Sequence, residues 1–322
     1  MPSGPGMIRT ERKVVEILRI LKEHQEPVGA KRLSELMAER GFVLSDRAVQ
    51  YYLRYLDDMG FTYKVGNHGR VLTERGRSET DKALVDDRAG FVISKLERLA
   101  YRSTFNPETM TGDVAYNLTI VPEERLEEVR RGFDAVIGAG CGFFSHYRVV
   151  DRHPQISNGS VGIMSVCSIT MDGVFQHHGI PVRMAYGGTL RVRDGTATEF
   201  ADLIGYRGTT IDPLALFISS GLTSIGSVVA TGTGMALANI RQVPGTAEAQ
   251  VAELVGAMQR AGFVFPVTTG RTVFNAPPDP FRLSIVAFSG MNTVGYCREL
   301  GIPLRTEIGA GNVPYALVAD GG

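Results

Sequence analysis

The chain has 322 residues, of which 43% are hydrophobic and 21% charged, a balance that supports a packed core and excludes wholesale disorder. Its formal net charge is zero, but residues 1–80 hold 14 Lys and Arg against 11 Asp and Glu, so a mildly basic N-terminal part precedes a mildly acidic remainder. The length suits two or three domains, and the absence of a ~18-residue apolar run or a secretory signal predicts a cytoplasmic protein without a membrane partner.

The first elements predict a small helical domain at residues 8–77, after a flexible leader at 1–7. One apolar face, with Leu18 and Leu21, marks the helix in RTERKVVEILRILKEHQ, and EPVGA then breaks the chain. A second helix, AKRLSELMAERG, ends at Gly41. A third begins after the capping residue Ser45, and two short alternating runs flanking GNHG predict a hairpin. This order of elements is that of a winged helix-turn-helix.

In such a domain the third helix enters the major groove of DNA. Its predicted outward residues are Arg47, Gln50, Tyr51 and Arg54, and the wing contributes Lys64, His68 and Arg70. We expect the helix to read bases and the wing to contact phosphates. The alternative is a solvated face on a protein-interaction domain, because winged helices also bind proteins.

The segment 78–111 is predicted to combine a linker with a helix. RGRSETDKALVDDRAG is polar and should carry the chain out of the wing, and a helix over Arg88–Tyr101 should follow. That helix is either a dimerisation element or packing for the next domain.

The rest of the chain, 112–322, contains a duplication. At an offset of 122 residues, 15 of the 71 positions between 117 and 187 are identical without a gap. The matched pairs include Asn117 with Asn239, Phe143 with Phe265, and Arg183 with Arg305.

Each repeat, at about 112–195 and 234–317, has the order βαββαβ. The predicted fold class is therefore α+β, with a winged helix followed by two tandem βαββαβ-like repeats. Two such units could pair about a pseudo-twofold axis, with a ligand in the crevice between them. The Gly-, Thr- and Arg-rich segment between the repeats is a candidate for ligand contact or dimerisation.

Nothing in the sequence favours an enzyme or a metal site. TGTGMA is a lone GxG without the rest of a dinucleotide fingerprint, and no Ser-His-Asp or Cys-His set can be assembled from spacing. Cys141, Cys167 and Cys297 form no CxxC motif, which predicts neither a disulfide framework nor a zinc site. Cys167 is expected inside an apolar strand as a small buried side chain.

Long stretches resemble one family. VDDRAGFVISKLERLAYRSTF, VGIMSVCSITMDGV, TEFADLIGY and GTTIDPL are similar to the NrpR family of nitrogen-regulatory repressors, with one copy of its effector domain. The resemblance implies a homodimeric or larger repressor that binds operators of nitrogen-assimilation genes and releases them when 2-oxoglutarate binds. It also leaves open a co-repressor or adaptor that acts with a related subunit. A dimer interface is expected at helix Arg88–Tyr101 or in the segment between the repeats, since one winged helix reads too short a site alone.

2-Oxoglutarate is a dianion, so its site needs cationic or N–H-rich anchors and hydroxyl groups. No other cofactor is expected. Arg183 and Arg305 occupy equivalent places in the repeats and could each take one carboxylate. The predicted effector-binding residues are Arg183, Gly187, Gly188, Thr209, Thr210, Asp212, Arg305, Gly309 and Cys167.

Overall fold

The structure is a computed structural model that describes residues 5–24, 26–207 and 209–319. For residues 5–12, 78, 79 and 81–91 it describes the backbone only. Most of the predicted leader therefore lies outside the described residues, and its last three residues already belong to the first helix. The chain divides into two compact units, Met1–Arg88 and Ala89–Gly322. In the described part of the chain, no helix is long and apolar enough to cross a membrane.

The first unit is a winged helix. Its helices are α1 (Pro5–Glu23), α2 (Ala30–Glu39) and α3 (Asp46–Asp58), and its wing is the antiparallel pair β1 (Thr62–Val65) and β2 (Gly69–Leu72). The apolar stripes foreseen from helical spacing meet in one core. That core contains Leu18, Leu21, Leu33, Met37, Val49, Leu53 and Leu56.

A single helix, α4 (Glu74–Arg102), follows the wing directly. The polar segment expected to lead out of the wing is thus helical, and the predicted helix over Arg88–Tyr101 is only its second part. Glu, Lys, Arg, Ala and Leu dominate this stretch, and all favour helix even without an apolar stripe. The two compact units divide within this helix, at Arg88.

The second unit repeats one order of elements twice. The first repeat contains β3 (Asp113–Pro122), α5 (Leu126–Gly138), β4 (Tyr147–Val150), β5 (Ser160–Val166), α6 (Ile169–His177) and β6 (Arg183–Arg193). Between the repeats lie β7 (Thr196–Gly205), α7 (Pro213–Ser219) and α8 (Ile225–Thr231). The second repeat contains β8 (Gly234–Pro244), α9 (Glu248–Arg260), β9 (Thr268–Gly270), β10 (Arg282–Phe288), α10 (Met291–Glu299) and β11 (Arg305–Pro314), and α11 (Tyr315–Ala319) follows. The predicted βαββαβ order and the α+β class are confirmed.

The repeats exchange their last strands. The two sheets have the orders β7-β6-β8-β10-β9 and β11-β3-β5-β4. Strand β6 of the first repeat thus lies beside β8 of the second, and β11 of the second lies beside β3 of the first. The registers obey the same offset, because Arg183 pairs with Gln242 and Arg305 with Ile120. Neither repeat completes a sheet by itself.

Equivalent residues meet across the axis of this exchange. The rings of Phe143 and Phe265 stack with centroids 5.3 Å apart and planes 14° apart, and both side chains are buried. Each repeat also ties its second helix to its first strand. Thr170 Oγ1 accepts from the Ala115 N–H at 3.0 Å, and Asn292 Oδ1 accepts from the Leu237 N–H at 2.7 Å. The two repeats therefore pack against each other through equivalent residues, in line with the pseudo-twofold relation predicted from the sequence.

We expect Phe143→Ala to lower the free energy of unfolding by about 3–5 kcal/mol, because it removes a fully buried ring and leaves a cavity at the axis. Phe281→Ala is the matched control: its ring is 82% exposed, so its effect should stay within about 0.5 kcal/mol. Urea unfolding followed by circular dichroism measures both. Equal effects of the two substitutions would contradict a central role for the stacked pair.

Candidate functional site

The outer face of α3 carries the four side chains expected there. Ser45 begins the helix by accepting a hydrogen bond from the Ala48 N–H at 3.3 Å, while Val49, Leu53 and Leu56 are buried. Helical geometry therefore turns the remaining positions outward. The exposed set is Arg47, Gln50, Tyr51 and Arg54.

The three predicted contact residues of the wing differ in their exposure to solvent. Lys64 and His68 are exposed, whereas the Arg70 side chain is only 16% exposed and its Nε donates to Asp57 at 2.8 Å. The other oxygen of Asp57 accepts from Thr62 Oγ1 at 2.6 Å. Asp57 of α3 thereby joins both strands of the wing to the helix. Arg70 therefore contacts Asp57 of its own chain, whereas the sequence predicted a contact with phosphate. The spacing of residues along the sequence does not reveal Asp57 as its partner.

Two further exposed aromatic side chains were missed. Tyr55 on α3 is 46% exposed and Tyr63 on β1 is 53% exposed. The signal in the sequence was the spacing of Tyr51 and Tyr55, which lie on one helical face at i and i+4. The surface of the first unit thus interleaves tyrosines with Arg47, Arg54 and Lys64.

Among the described residues, Arg183 and Arg305 share no partner. Each is the first residue of an exchanged strand, but the strands belong to different sheets. Arg183 contacts Gln242, and lies 3.6 Å from Asp279. Arg305 donates to the carbonyl oxygen of Gln155 at 2.9 Å. Both are exposed, so the expectation that they grip the two ends of one diacid finds no support in these contacts.

A small cavity of about 20 Å³ lies on the pseudo-twofold axis. Four pairs of residues related by the offset line it: Asn117 with Asn239, Cys167 with Ser289, Ser168 with Gly290, and Ile169 with Met291. Leu96, Met184, Tyr206, Asp212, Leu214 and Ile308 complete its wall. We call it the axis cavity. Two of the predicted effector residues, Cys167 and Asp212, lie in it.

The axis cavity is lined by a hydrogen-bonded polar network. Asn117 accepts from the Gly309 N–H at 3.0 Å, and Asn239 accepts from the Tyr206 hydroxyl at 3.0 Å. Asn239 Nδ2 in turn donates to Ser168 Oγ at 3.4 Å. A network at the contact of two repeats is sensitive to any shift between them, because buried polar groups must keep their partners.

A larger groove of about 570 Å³ adjoins the axis cavity, and Leu96, Ile169 and Met184 line both. We call it the α4 groove. Its wall contains Ile93, Glu97 and Ala100 of α4, Asp172 and Gln176 of α6, and Val182, Arg183, Ala185, Tyr186, Gly205 and Arg207. It is large enough for a five-carbon diacid, whereas the axis cavity as it stands is not.

The remaining predicted effector residues have local roles. A Cβ on Gly188 would lie 2.4 Å from the Asp202 carbonyl, so glycine is needed for the close approach of β6 and β7. A Cβ on Gly187 would meet Pro213 at 3.1 Å. Thr209 donates to the Tyr206 carbonyl at 3.0 Å, and Thr210 is half-buried. These contacts stabilise the loop and strands behind the axis cavity.

A buried ion pair lies beside both cavities and was absent from the sequence-based set. Arg241 of β8 is fully buried, and its Nε donates to Asp172 at 2.6 Å. Its Nη2 donates to Ser168 Oγ at 2.9 Å. Burial raises the pKa of Asp172, while Arg241 acts in the opposite direction. Burial likewise raises the pKa of Asp212, against the N–H groups of Leu214 and Ala215 that its side chain caps.

The three cysteines are free and buried. Cys167 follows β5 rather than lying inside it, and its N–H donates to the Ala115 carbonyl at 2.8 Å. Burial raises the pKa of Cys141 and Cys167 to about 11 and that of Cys297 to about 12. Within the described ranges, no three His, Cys, Asp or Glu side chains gather as a metal site.

Comparison with known proteins gives two matching family descriptions. Residues 89–319 match the NrpR regulatory domains NRD1 and 2, and residues 15–80 match the ribonuclease R winged-helix domain. The global nitrogen regulator NrpRI of Methanosarcina mazei is 36% identical over 303 residues, which are 92% of this chain and 94% of that protein. The global nitrogen regulator NrpR of Methanocaldococcus jannaschii is 33% identical over 235 residues, covering 73% of this chain and 42% of that protein.

One solved structure supports the fold. The crystal structure of a nitrogen repressor-like protein from Methanococcus jannaschii superposes with a TM-score of 0.60 at 21% identity, covering 70% of this chain and 96% of that chain. At this identity the likeness concerns the fold alone.

We expect all three thiols to resist alkylation near neutral pH in the folded chain. Burial blocks the reagent, and the raised pKa values reduce the thiolate fraction that reacts. Iodoacetamide labelling read by mass spectrometry should show unmodified Cys141, Cys167 and Cys297, and full modification in guanidinium chloride. Rapid labelling of Cys167 in the folded protein would show that the axis cavity opens to solvent.

Proposed function

The chain belongs to the NrpR family of nitrogen regulators, and on that premise we propose that it is a DNA-binding repressor of nitrogen-assimilation genes, released by 2-oxoglutarate. The observation that carries DNA binding is the outer face of α3. There Arg47, Gln50, Tyr51 and Arg54 are exposed on a helix of the kind that winged helices insert into the major groove. The chain is a regulator without a catalytic role in this proposal.

The wing supports the same orientation. Lys64 and His68 are exposed on the hairpin that follows α3, and Asp57 holds that hairpin against the helix. A wing fixed in this way can contact phosphates while the helix reads bases. One winged helix covers few base pairs, so the proposal includes a homodimer that reads two half-sites.

The α4 groove and the axis cavity together support the effector part. The groove has the volume for 2-oxoglutarate, and Arg183 and Arg207 line it as cationic groups for a carboxylate. At its inner end the axis cavity brings together residues from both repeats. A ligand there would change the fit between the repeats, which is how a small molecule couples to a distant binding surface.

The first test combines operator binding with the effector. A preferred DNA sequence is selected from a random library with the wild-type chain, and binding is then followed by fluorescence anisotropy with and without 2-oxoglutarate. We expect tight binding that 2-oxoglutarate weakens. No selection of any sequence would favour the adaptor role, in which a related subunit binds the DNA.

On the same DNA, Arg54→Ala should cost about 1–3 kcal/mol of affinity and relax specificity at one position. Lys64→Ala should weaken binding to all sequences and reduce the salt dependence by about one unit. Arg130→Ala, which removes an exposed charge from α5, is the control and should leave both quantities unchanged. If Arg54→Ala bound the selected DNA like the wild type, the proposed orientation of α3 would be wrong.

The two arginines of the repeats separate the effector models. Arg183 lines the α4 groove and is 51% exposed, so Arg183→Ala should weaken 2-oxoglutarate binding by about three- to tenfold, the effect of one partly screened charge-assisted contact. Arg305→Ala is the matched control at the equivalent position and should leave the affinity unchanged. Calorimetric titration measures both. Equal weakening by both substitutions would restore the model in which each arginine holds one carboxylate.

A further inference from the structure

The buried guanidinium of Arg241 has an unused donor. Its Nε and Nη2 are bound to Asp172 and Ser168, but Nη1 has no hydrogen-bond partner among the described residues. A fully buried cationic nitrogen without a partner is costly, because charged donors lose their hydration on burial. Such a donor needs a partner, and a bound ligand can supply one.

The pseudo-twofold symmetry is broken at this ion pair. The offset of 122 residues relates Arg241 to Thr119 and Asp172 to Val294. Thr119 lies on β3 of the first repeat, and its Oγ1 is 3.1 Å from Thr306 Oγ1. Neither of these two side chains carries a charge. The described elements around the axis cavity therefore carry a buried arginine on one side, with an uncharged threonine at the equivalent position on the other.

The guanidinium lies between the two cavities. Asp172, bound to Nε, lines the α4 groove, and Ser168, bound to Nη2, lines the axis cavity. Met184, which lines both, pairs with Arg241 across β6 and β8. Ser168 Oγ thus connects the guanidinium to the wall of the axis cavity.

We propose that Arg241 is the buried anchor for one carboxylate of a small-molecule ligand, and that each chain binds one such molecule. Nη1 and the second hydrogen of Nη2 form the edge of the guanidinium that pairs with a carboxylate through two parallel bonds. Asp172 orients Arg241 through Nε and makes no hydrogen bond to Nη1. The threonine of the other half offers no such edge, so a second, symmetry-related ligand has no anchor.

This inference rests on the proposed effector role only for the identity of the ligand. Asp172 adds a negative charge beside the carboxylate, so it holds the anchor in place and also limits the affinity.

The test uses the full chain and calorimetric titration with 2-oxoglutarate, with glutarate, which lacks the keto group, and with acetate as the smallest carboxylate. The main variant, Asp172→Val with Arg241→Thr, copies the counterpart residues of the other repeat. It removes both charges together, so neither is left buried without its partner. Its 2-oxoglutarate affinity should fall by at least about tenfold, the loss expected for a bidentate charge-assisted contact.

One single substitution accompanies it. Thr119→Val, at the counterpart of Arg241, should bind like the wild type. Thermal melting monitors the fold of each variant. If the double variant does not fold, Arg241→Lys replaces it and should weaken binding at least about fivefold, because a point charge lacks the two-pronged edge.

The outcomes separate this inference from the proposed function. Wild-type binding at one molecule per chain, lost in the double variant and kept in Thr119→Val, supports the anchor. Unchanged 2-oxoglutarate binding in the folded double variant, or two molecules per chain, overturns the anchor and leaves the effector role standing. Binding of glutarate or acetate that depends on Arg241, without binding of 2-oxoglutarate, supports the anchor and overturns the effector. No binding of any of the three overturns both.

Discussion

The exchange of β6 and β11 between the repeats is the constraint on which the second unit depends. Each repeat supplies three strands to one sheet and its fourth strand to the other, so the ladders of β6 with β8 and of β11 with β3 form only when the repeats are together. The cores are shared for the same reason, and Phe143 and Phe265 stack where the repeats meet. A displacement of one repeat is therefore transmitted to the other through the shared sheets and the packed side chains.

The duplication places equivalent residues of the two repeats near each other at the axis, but the contacts of these residues differ. Asn117 and Asn239 remain identical and line the same cavity, but one accepts from a backbone N–H and the other from the Tyr206 hydroxyl. One divergence is electrostatic, since an ion pair stands opposite Thr119 and Val294. In the proposed effector role, this single charged side would distinguish the two ends of a keto diacid.

In the winged helix, a single carboxylate holds the wing to α3. Asp57 is the last residue but one of α3, and its carboxylate accepts from Thr62 of β1 and Arg70 of β2. The wing is therefore held to the helix that presents Arg47 and Arg54. This contact explains why Arg70, one of the three predicted wing residues, is mostly buried while Lys64 and His68 remain exposed.

The sequence by itself determined the order and identity of most elements, because helical and strand periodicity, Ser45 as a cap and the GNHG turn are local signals. The ungapped offset also revealed the duplication and its βαββαβ order. Spacing did not show that the last strands are exchanged, since the same order of elements is compatible with strands kept or swapped. Nor did it find Arg241, which pairs with a residue 69 positions away, or separate Arg183 from Arg305, which look equivalent in sequence. Those partnerships are set by which sheets and helices pack together, and only the tertiary structure decides that.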